Sequence, residues 1–259
     1  MNIEEMQIKT ESFLDKLFGD ESETLIKSKQ RVAESGEVFT PRWTVKEMMD
    51  MEGIKEFSYE LDKTFLEPSC GNGNFLIQIL ARKLIAASIA DGEFDINIIK
   101  GVASIYGVDI AADNIAESRE RMLNAIKEYY AQEGVELSSN VEKTIKYILY
   151  RNIILGNTLT NERLSEQEVI NATKQTMSSK EAKLYERNSK GLHDNREMSG
   201  EGSLRFSEWH FDGDKVTRKE FSLDDPDMVI HTYPECEILN VVSLEDHDEQ
   251  NANEYADLI

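Results

Sequence analysis

Only two of the 259 residues are cysteine, Cys70 and Cys236, so no disulfide framework holds the fold. No apolar run is long enough to span a bilayer. The longest, FLIQILARKLIAASIA, carries Gln78, Arg82 and Lys83 and reads as a buried or amphipathic helix. The opening residues, MNIEEMQIKTESF, lack the basic and apolar regions of a secretory leader, so a cytoplasmic location is expected. Histidine is sparse. His193, His210, His231 and His247 stand apart, with no paired spacing to either cysteine, and no metal site is expected. The acidic runs DDPD and EDHDE lack the alternating ligands and glycine of a calcium loop.

Basic residues are scarce as well: 29 Lys and Arg stand against 50 Asp and Glu, a formal net charge of −21. Such a balance works against non-specific gripping of phosphates. Residues 160–259 hold 23 acids against 11 bases, so a basic face would have to lie earlier. Lys27, Lys29, Arg31, Arg42, Lys46, Lys146 and Arg151 are its candidates. Their one cluster, KSKQR, is short, and solvated surface is the simpler reading. DNA binding would need this patch, a partner subunit, or both.

What is present is a soluble-type composition, 40% hydrophobic and 31% charged, of a length that suits one large α/β domain. Residues 1–35 are polar and helix-prone, with Ile3, Met6, Phe13, Leu14, Leu17 and Phe18 at amphipathic spacing. Thr40 before Pro41 reads as a helix N-cap with proline at the first helical position, and Gly53 as the close of that helix. TFLEP, SIYGVDI and RNIILGNTL are strand segments. They are separated by a long helix from GNGNF onward and a second from ADNIAESR, with Ile115, Met122, Leu123, Ile126 and Tyr129 at helical spacing. This β-α-β-α-β order implies a mainly parallel sheet with right-handed crossovers. Residues 36–160 form that core and 161–203 a polar helical or irregular insertion. Residues 204–243 form a β-rich part expected to complete the sheet, and 244–259 an acidic tail. Trp43 and Trp209 read as core or edge aromatics.

In an open parallel sheet, ligands bind beyond the carboxyl ends of the strands. There, after the first strand, stands LEPSCGNGNF, and Asp109 ends the second. A glycine turn beneath a ligand and an acid for two ribose hydroxyls make a nucleoside site. A dinucleotide fingerprint would need a third glycine, where Leu76 stands, and an acid about 20 residues on. Asp109 follows Gly71 by 38 residues (109 − 71). Glu67 would repel a pyrophosphate but attract an ammonium, and S-adenosylmethionine carries an ammonium, a sulfonium and an unphosphorylated ribose.

Together these segments resemble the DNA methyltransferases that act on the exocyclic amine of adenine. LEPSCGNGNF is similar to their cofactor loop, and GEVFTP to the N-terminal cofactor motif of the gamma arrangement. YGVDI is similar to the second-strand acid motif, and ILGNTL to the third-strand motif. The four occur in order across Gly36 to Leu159. The resemblance implies a Rossmann-like methyltransferase sandwich using S-adenosylmethionine. Phe39, Thr40 and Pro41 would close over the cofactor, and Glu67, Pro68, Ser69, Cys70, Gly71, Asn72, Gly73 and Asn74 would lie near its methionine end. Asp109 would hold the ribose, Ile110 would pack on the adenine, and Asn157 would bond near the adenine amine. Cys70 could instead be a nucleophile, but the loop reading explains it as a small residue beside the cofactor.

The same resemblance exposes a gap. These enzymes carry Asn, Asp or Ser, then Pro-Pro and an aromatic, after the fourth strand. Its positioned acceptors take the hydrogens of a flipped adenine's amine. This chain has four prolines and no two adjacent. DMVIHTYPE is the best positional candidate, placing Thr232 as acceptor and Tyr233 as stacking group; DDPDM, Asp224 to Met228, is the other. A plain strand and turn explains DMVIHTYPE equally well. Three readings follow: a DNA adenine-N6 methyltransferase of the restriction–modification or phage type, a cofactor-binding pseudoenzyme acting through a partner protein, and a methyltransferase with a non-DNA substrate.

Overall fold

A computed structural model of the chain describes residues 1–19, 23–175, 177–188, 202–222 and 225–243. The chain begins with helix α1 (Ile3–Phe18), capped by Asn2, whose side chain accepts from Glu5 N at 2.9 Å while Glu5 caps the Asn2 amide in return. Helices α2 (Lys29–Ser35), α3 (Arg42–Met49) and α4 (Ile54–Ser58) follow. Two local expectations are corrected here. Pro41, not Thr40, is the cap residue of α3, and the Arg42 amide finds its acceptor in Glu23 Oε1 at 2.9 Å. Gly53 opens α4 rather than closing α3, because its φ of 84° turns the chain and its N–H bonds Glu56.

Strand β1 (Phe65–Glu67) leads through α5 (Asn74–Ile89) and α6 (Phe94–Ala103) to β2 (Ile105–Asp109). Helices α7 (Ala112–Glu133) and α8 (Ser139–Asn152) then return the chain to β3 (Ile153–Asn157). These three strands are parallel in the order β1-β2-β3, and β4 (Glu162–Arg163) adds antiparallel to β3. The fold is therefore mixed α/β around a four-stranded, mostly parallel sheet. Helix α5 is buried nearly all round, as its almost unbroken apolar run requires. Its two cations satisfy neighbouring helix ends: Arg82 donates to Met49 O, and Lys83 to the carbonyls of Glu60 and Lys63. Burial nonetheless pushes Lys83 down to about 8, against the pull of Asp62 and Glu60.

Past β4 come α9 (Glu166–Gln175) and α10 (Ser179–Asn188), so most of the described part of the polar insertion is helical, with β4 at its start. Arg119 of α7 is buried against Glu166 and also donates to Ile153 O at 2.8 Å, which ties α9 into the core. Strands β5 (Arg205–Asp212), β6 (Lys215–Ser222), β7 (Asp225–Thr232) and β8 (Cys236–Glu237) precede a 3-10 turn, Ile238–Ser243. They do not complete the parallel sheet as expected. They form a separate antiparallel sheet, and its Leu204 and Phe206 pack on Tyr106, Val108 and Ile154 of the first. Gly156 lets this happen, since a Cβ there would collide with the Leu204 side chain. Among the described residues no helix is long and apolar enough to cross a membrane.

Candidate functional site

The loop after β1 is forced into its shape by backbone contacts before any ligand is considered. Cys70 N donates to Val108 O at 2.9 Å and Gly73 N to Cys70 O at 2.8 Å, so the chain doubles back over the end of β2. Gly71 and Gly73 both have positive φ, 52° and 91°. A Cβ on Gly71 would stand 3.0 Å from the Phe39 ring, and one on Gly73 would stand 2.9 Å from Ser118 Oγ. Only glycine fits either place.

One face of α7 clamps this loop. Ser118 Oγ donates to Gly71 O at 3.0 Å, Asn72 Nδ2 donates to Glu117 Oε1 at 3.0 Å, and Arg121 reaches Asn72 O and Asn74 Oδ1. The Asn74 amide then donates to Thr40 O at 2.8 Å, joining the loop to the segment around Phe39. That segment is latched from its other side as well. Lys27 pairs with Asp113 at 2.7 Å and Glu117 at 2.9 Å, while Arg31 pairs with Asp113 and Glu37. Burial opposes ionisation of Asp113, yet these two cations hold its carboxyl below the usual range.

Enclosed between loop, segment and α7 is a cavity of about 250 Å³. Of the residues expected at a cofactor site, Phe39, Thr40, Glu67, Ser69, Cys70 and Gly71 line it, as do Asn72, Asn74, Asp109 and Ile110. Pro41, Pro68, Gly73 and Asn157 stay off its wall. Gly73 shapes the loop, and Thr158 Oγ1 binds Pro68 O at 2.9 Å. Asn157 spends its side-chain oxygen on its own turn, accepting from Leu159 N at 3.0 Å and Thr160 N at 3.4 Å. The cavity adds residues that the motifs did not single out: Arg31, Glu37 and Asn114. Asn114 bridges two acids, donating to Glu37 Oε1 at 2.9 Å and to Asp109 Oδ1 at 3.1 Å. Glu37 was legible, being the second residue of GEVFTP; Asn114 had no signal beyond its place in the first turn of α7.

Three carboxylates therefore face one cavity. Burial, and after it the charge of Asp109, raises the Glu67 carboxyl above its ordinary range, against one N–H bond from Ser69. No ion pair engages Glu67 among the described residues. Asp109 accepts from Gly71 N at 2.8 Å, Ala111 N at 2.9 Å and Asn114 Nδ2. A carboxylate has about four lone-pair sites, so roughly one remains for a ligand hydroxyl. Burial, then Asp109 and Glu67, pushes the Cys70 thiol well up, which leaves it protonated and a poor nucleophile.

Thr232 and Tyr233 are not brought to this cavity. Thr232 is exposed at the end of β7. Tyr233 is buried in the second sheet, where its hydroxyl donates to Glu220 Oε1 at 3.0 Å and its ring lies 3.7 Å under Arg218. Arg218 in turn donates to Tyr147 of α8 at 2.9 Å, so Tyr233 serves the packing of the two layers. Of the DDPDM candidate, Asp224 lies outside the described residues, as do His193, His247 and the acidic tail. Trp43 is 65% exposed, contrary to its reading as a core or edge aromatic, whereas Trp209 is partly buried and donates to Asn152 Oδ1 at 3.0 Å.

The candidate basic face is largely neutralised. Lys27 and Arg31 are paired as above, Arg42 with Glu23, Lys46 with Glu11 and Lys146 with Glu142. Arg151 is buried over the Tyr147 ring, and Lys29 is exposed. Among the described residues no cluster of His, Cys, Asp and Glu is arranged to hold a metal. Comparison with family models, curated proteins and solved structures finds no match to this chain.

Proposed function

We propose that the chain holds S-adenosylmethionine in the cavity under the glycine loop. In this reading it is the cofactor-bearing part of a methyltransferase, with the exocyclic amine of adenine in DNA as the target. The observation that carries the reading is the set of three carboxylates, Glu37, Glu67 and Asp109, around one cavity at the strand ends. Of these only Glu37 is ion-paired among the described residues, to Arg31 on the same wall. A ligand with phosphates would be repelled there, and one with an ammonium and a sulfonium is attracted. The residues fit such a group in two further respects. The Asn114 Oδ1 atom is buried and accepts from no described residue, so it is an acceptor awaiting a donor. Phe39, buried and close against Gly71, gives the cavity an aromatic wall.

Bound S-adenosylmethionine would supply an electrophilic methyl group on sulfur. The chain's own contribution is binding and orientation. Asp109 fixes the loop and offers its remaining site to a ribose hydroxyl, Glu67 balances a cation, and Asn74 holds the Phe39 segment in place. Among the described residues, neither Thr232 nor Tyr233, the expected acceptor and stacking group for an adenine amine, lines the cavity. That observation favours a second reading, a cofactor-binding subunit whose partner completes the reaction. The test is mass spectrometry of nucleosides from cells without adenine methylases that express the chain, alone and with Asp109→Ala. N6-methyladenine that vanishes with the variant supports an active enzyme. Its absence, while the purified chain still binds the cofactor, supports the second reading.

A further inference from the structure

Strand β1 is short and lies at the margin of its sheet. A parallel sheet is ordinarily covered on both faces, and its strands are buried along their length, as β2 is here. In β1 only the middle residue, Leu66, is exposed, at 45%. Phe65 N donates to Ser104 O at 2.9 Å, toward β2. Alternate residues of a parallel strand serve opposite edges, so the Leu66 N–H and C=O point out of the sheet. Among the described residues nothing pairs with them. Beside this edge run two adjoining hollows of about 200 and 460 Å³, sharing Thr64, Tyr106 and Glu208. Phe65, Leu66, Phe206 and Phe221 give the smaller one apolar walls.

We propose that this edge is the docking site of a partner protein, which adds an extended, basic-ended segment beside β1. The main-chain groups of Leu66 call for a polypeptide in strand form, and the aromatic hollow calls for apolar side chains on one face of it. Charge selects among the possible occupants. Asp62 and Glu67 bracket the strand, neither in an ion pair among the described residues. In the larger hollow Glu208 meets His210 at 2.9 Å, and Lys100 is the one Lys or Arg among its lining residues, so the excess of acid lies at the two ends of the strand. A second copy would bring another net charge of −21 to the same face. Nucleic acid is repelled in the same way, and the cations that might have gripped it are mostly paired or buried. Where the occupant runs parallel to β1, its leading end arrives at Glu67, on the wall of the cavity. The inference rests on the cofactor reading only for the meaning of that arrival; the edge itself does not depend on it.

The probe is a short synthetic peptide of alternating valine and threonine with paired lysines at both ends, set against the same peptide ended with glutamates. Amide exchange at Leu66 and Trp209 fluorescence are followed, with sedimentation of the chain alone. The expected result is fast exchange at Leu66 in a monomeric chain, slowed by the lysine peptide at least about tenfold more effectively than by the glutamate peptide. Leu66→Pro removes the outward N–H itself, is tolerable at an edge, and should abolish the lysine peptide's effect on Trp209 fluorescence without unfolding the chain. Equal effects of both peptides, or a Trp209 response to the lysine peptide that survives Leu66→Pro, overturn the proposal. Slow exchange in the isolated monomer overturns it too, since the chain would then cover its own edge, as does a dimer that Leu66→Pro dissociates. S-adenosylmethionine titrated into the same samples separates the two readings: loss of cofactor binding with peptide binding intact removes only the methyltransferase.

Discussion

The two sheets of this molecule carry polar residues in opposite ways. In the parallel sheet the strands are almost wholly apolar, and the polar groups that matter stand at their carboxyl ends, on Glu67, Asp109 and Asn157. In the antiparallel sheet the charges lie within the strands: Arg218 is fully buried on β6, bonded to Glu220 and stacked on Tyr233. The first arrangement leaves Glu67 and Asp109 facing a cavity, while Asn157 is spent on its own turn. The second consumes them in packing. The motif-bearing carboxylates are thus available for a ligand, while the tyrosine that looked like a catalytic aromatic is committed to its own layer.

The largest expected effect tests whether the polar insertion belongs to the first region. Glu166→Ala leaves Arg119 buried without its partner and should cost about 3–5 kcal/mol of stability, read by chemical denaturation. A loss below about 1 kcal/mol would detach α9 from the core. Next comes Asp109→Ala. It removes three hydrogen bonds that shape the loop, with charge-assisted bonds worth about 1.5–3 kcal/mol each, so affinity for S-adenosylmethionine should fall by about a hundredfold or more in calorimetry.

Glu67→Gln sharpens the contrast in a different way. The folded-state value of this carboxyl is raised, so the native chain binds its proton more tightly than the unfolded one. Stability therefore falls as pH rises from the ordinary carboxylate range through the raised value. The glutamine variant should unfold at a slightly higher temperature at neutral pH, yet bind the cationic cofactor more weakly. Binding to the parent should weaken as pH drops through the same window, and the variant should lose that dependence. Smallest of all is Thr232→Ala on the exposed end of β7, which should leave cofactor affinity unchanged and stability within about 0.5 kcal/mol. A loss of binding there would bring the second sheet into the site.

Legibility followed the same divide. Strands β1, β2 and β3 could be read because each is a short apolar run closed by a turn or a carboxylate, and ten of the fourteen expected cofactor residues line one cavity. Helix α8 was missed because it runs straight into β3 with no glycine or proline between Asn152 and Ile153, so Arg151 and Asn152 looked like strand. Helix α6 went unseen for want of contrast: FDINIIKGVA is short and apolar on most sides. The strands of the C-terminal third were legible as strands, but their sheet was not. Local alternation says that a residue alternates faces, whereas membership of a sheet depends on partners far along the chain, such as Leu204 meeting Gly156. Arg31 escaped notice at the site because its role depends on Asp113, 82 residues away.

The most direct test of the account is calorimetric titration of the purified chain with S-adenosylmethionine and, separately, with NAD. The account predicts one S-adenosylmethionine bound per chain, weakened on acidification, and no detectable binding of NAD. Binding of NAD in preference, or no binding of S-adenosylmethionine at neutral pH, would contradict the central claim that the three carboxylates form a site for a cationic nucleoside.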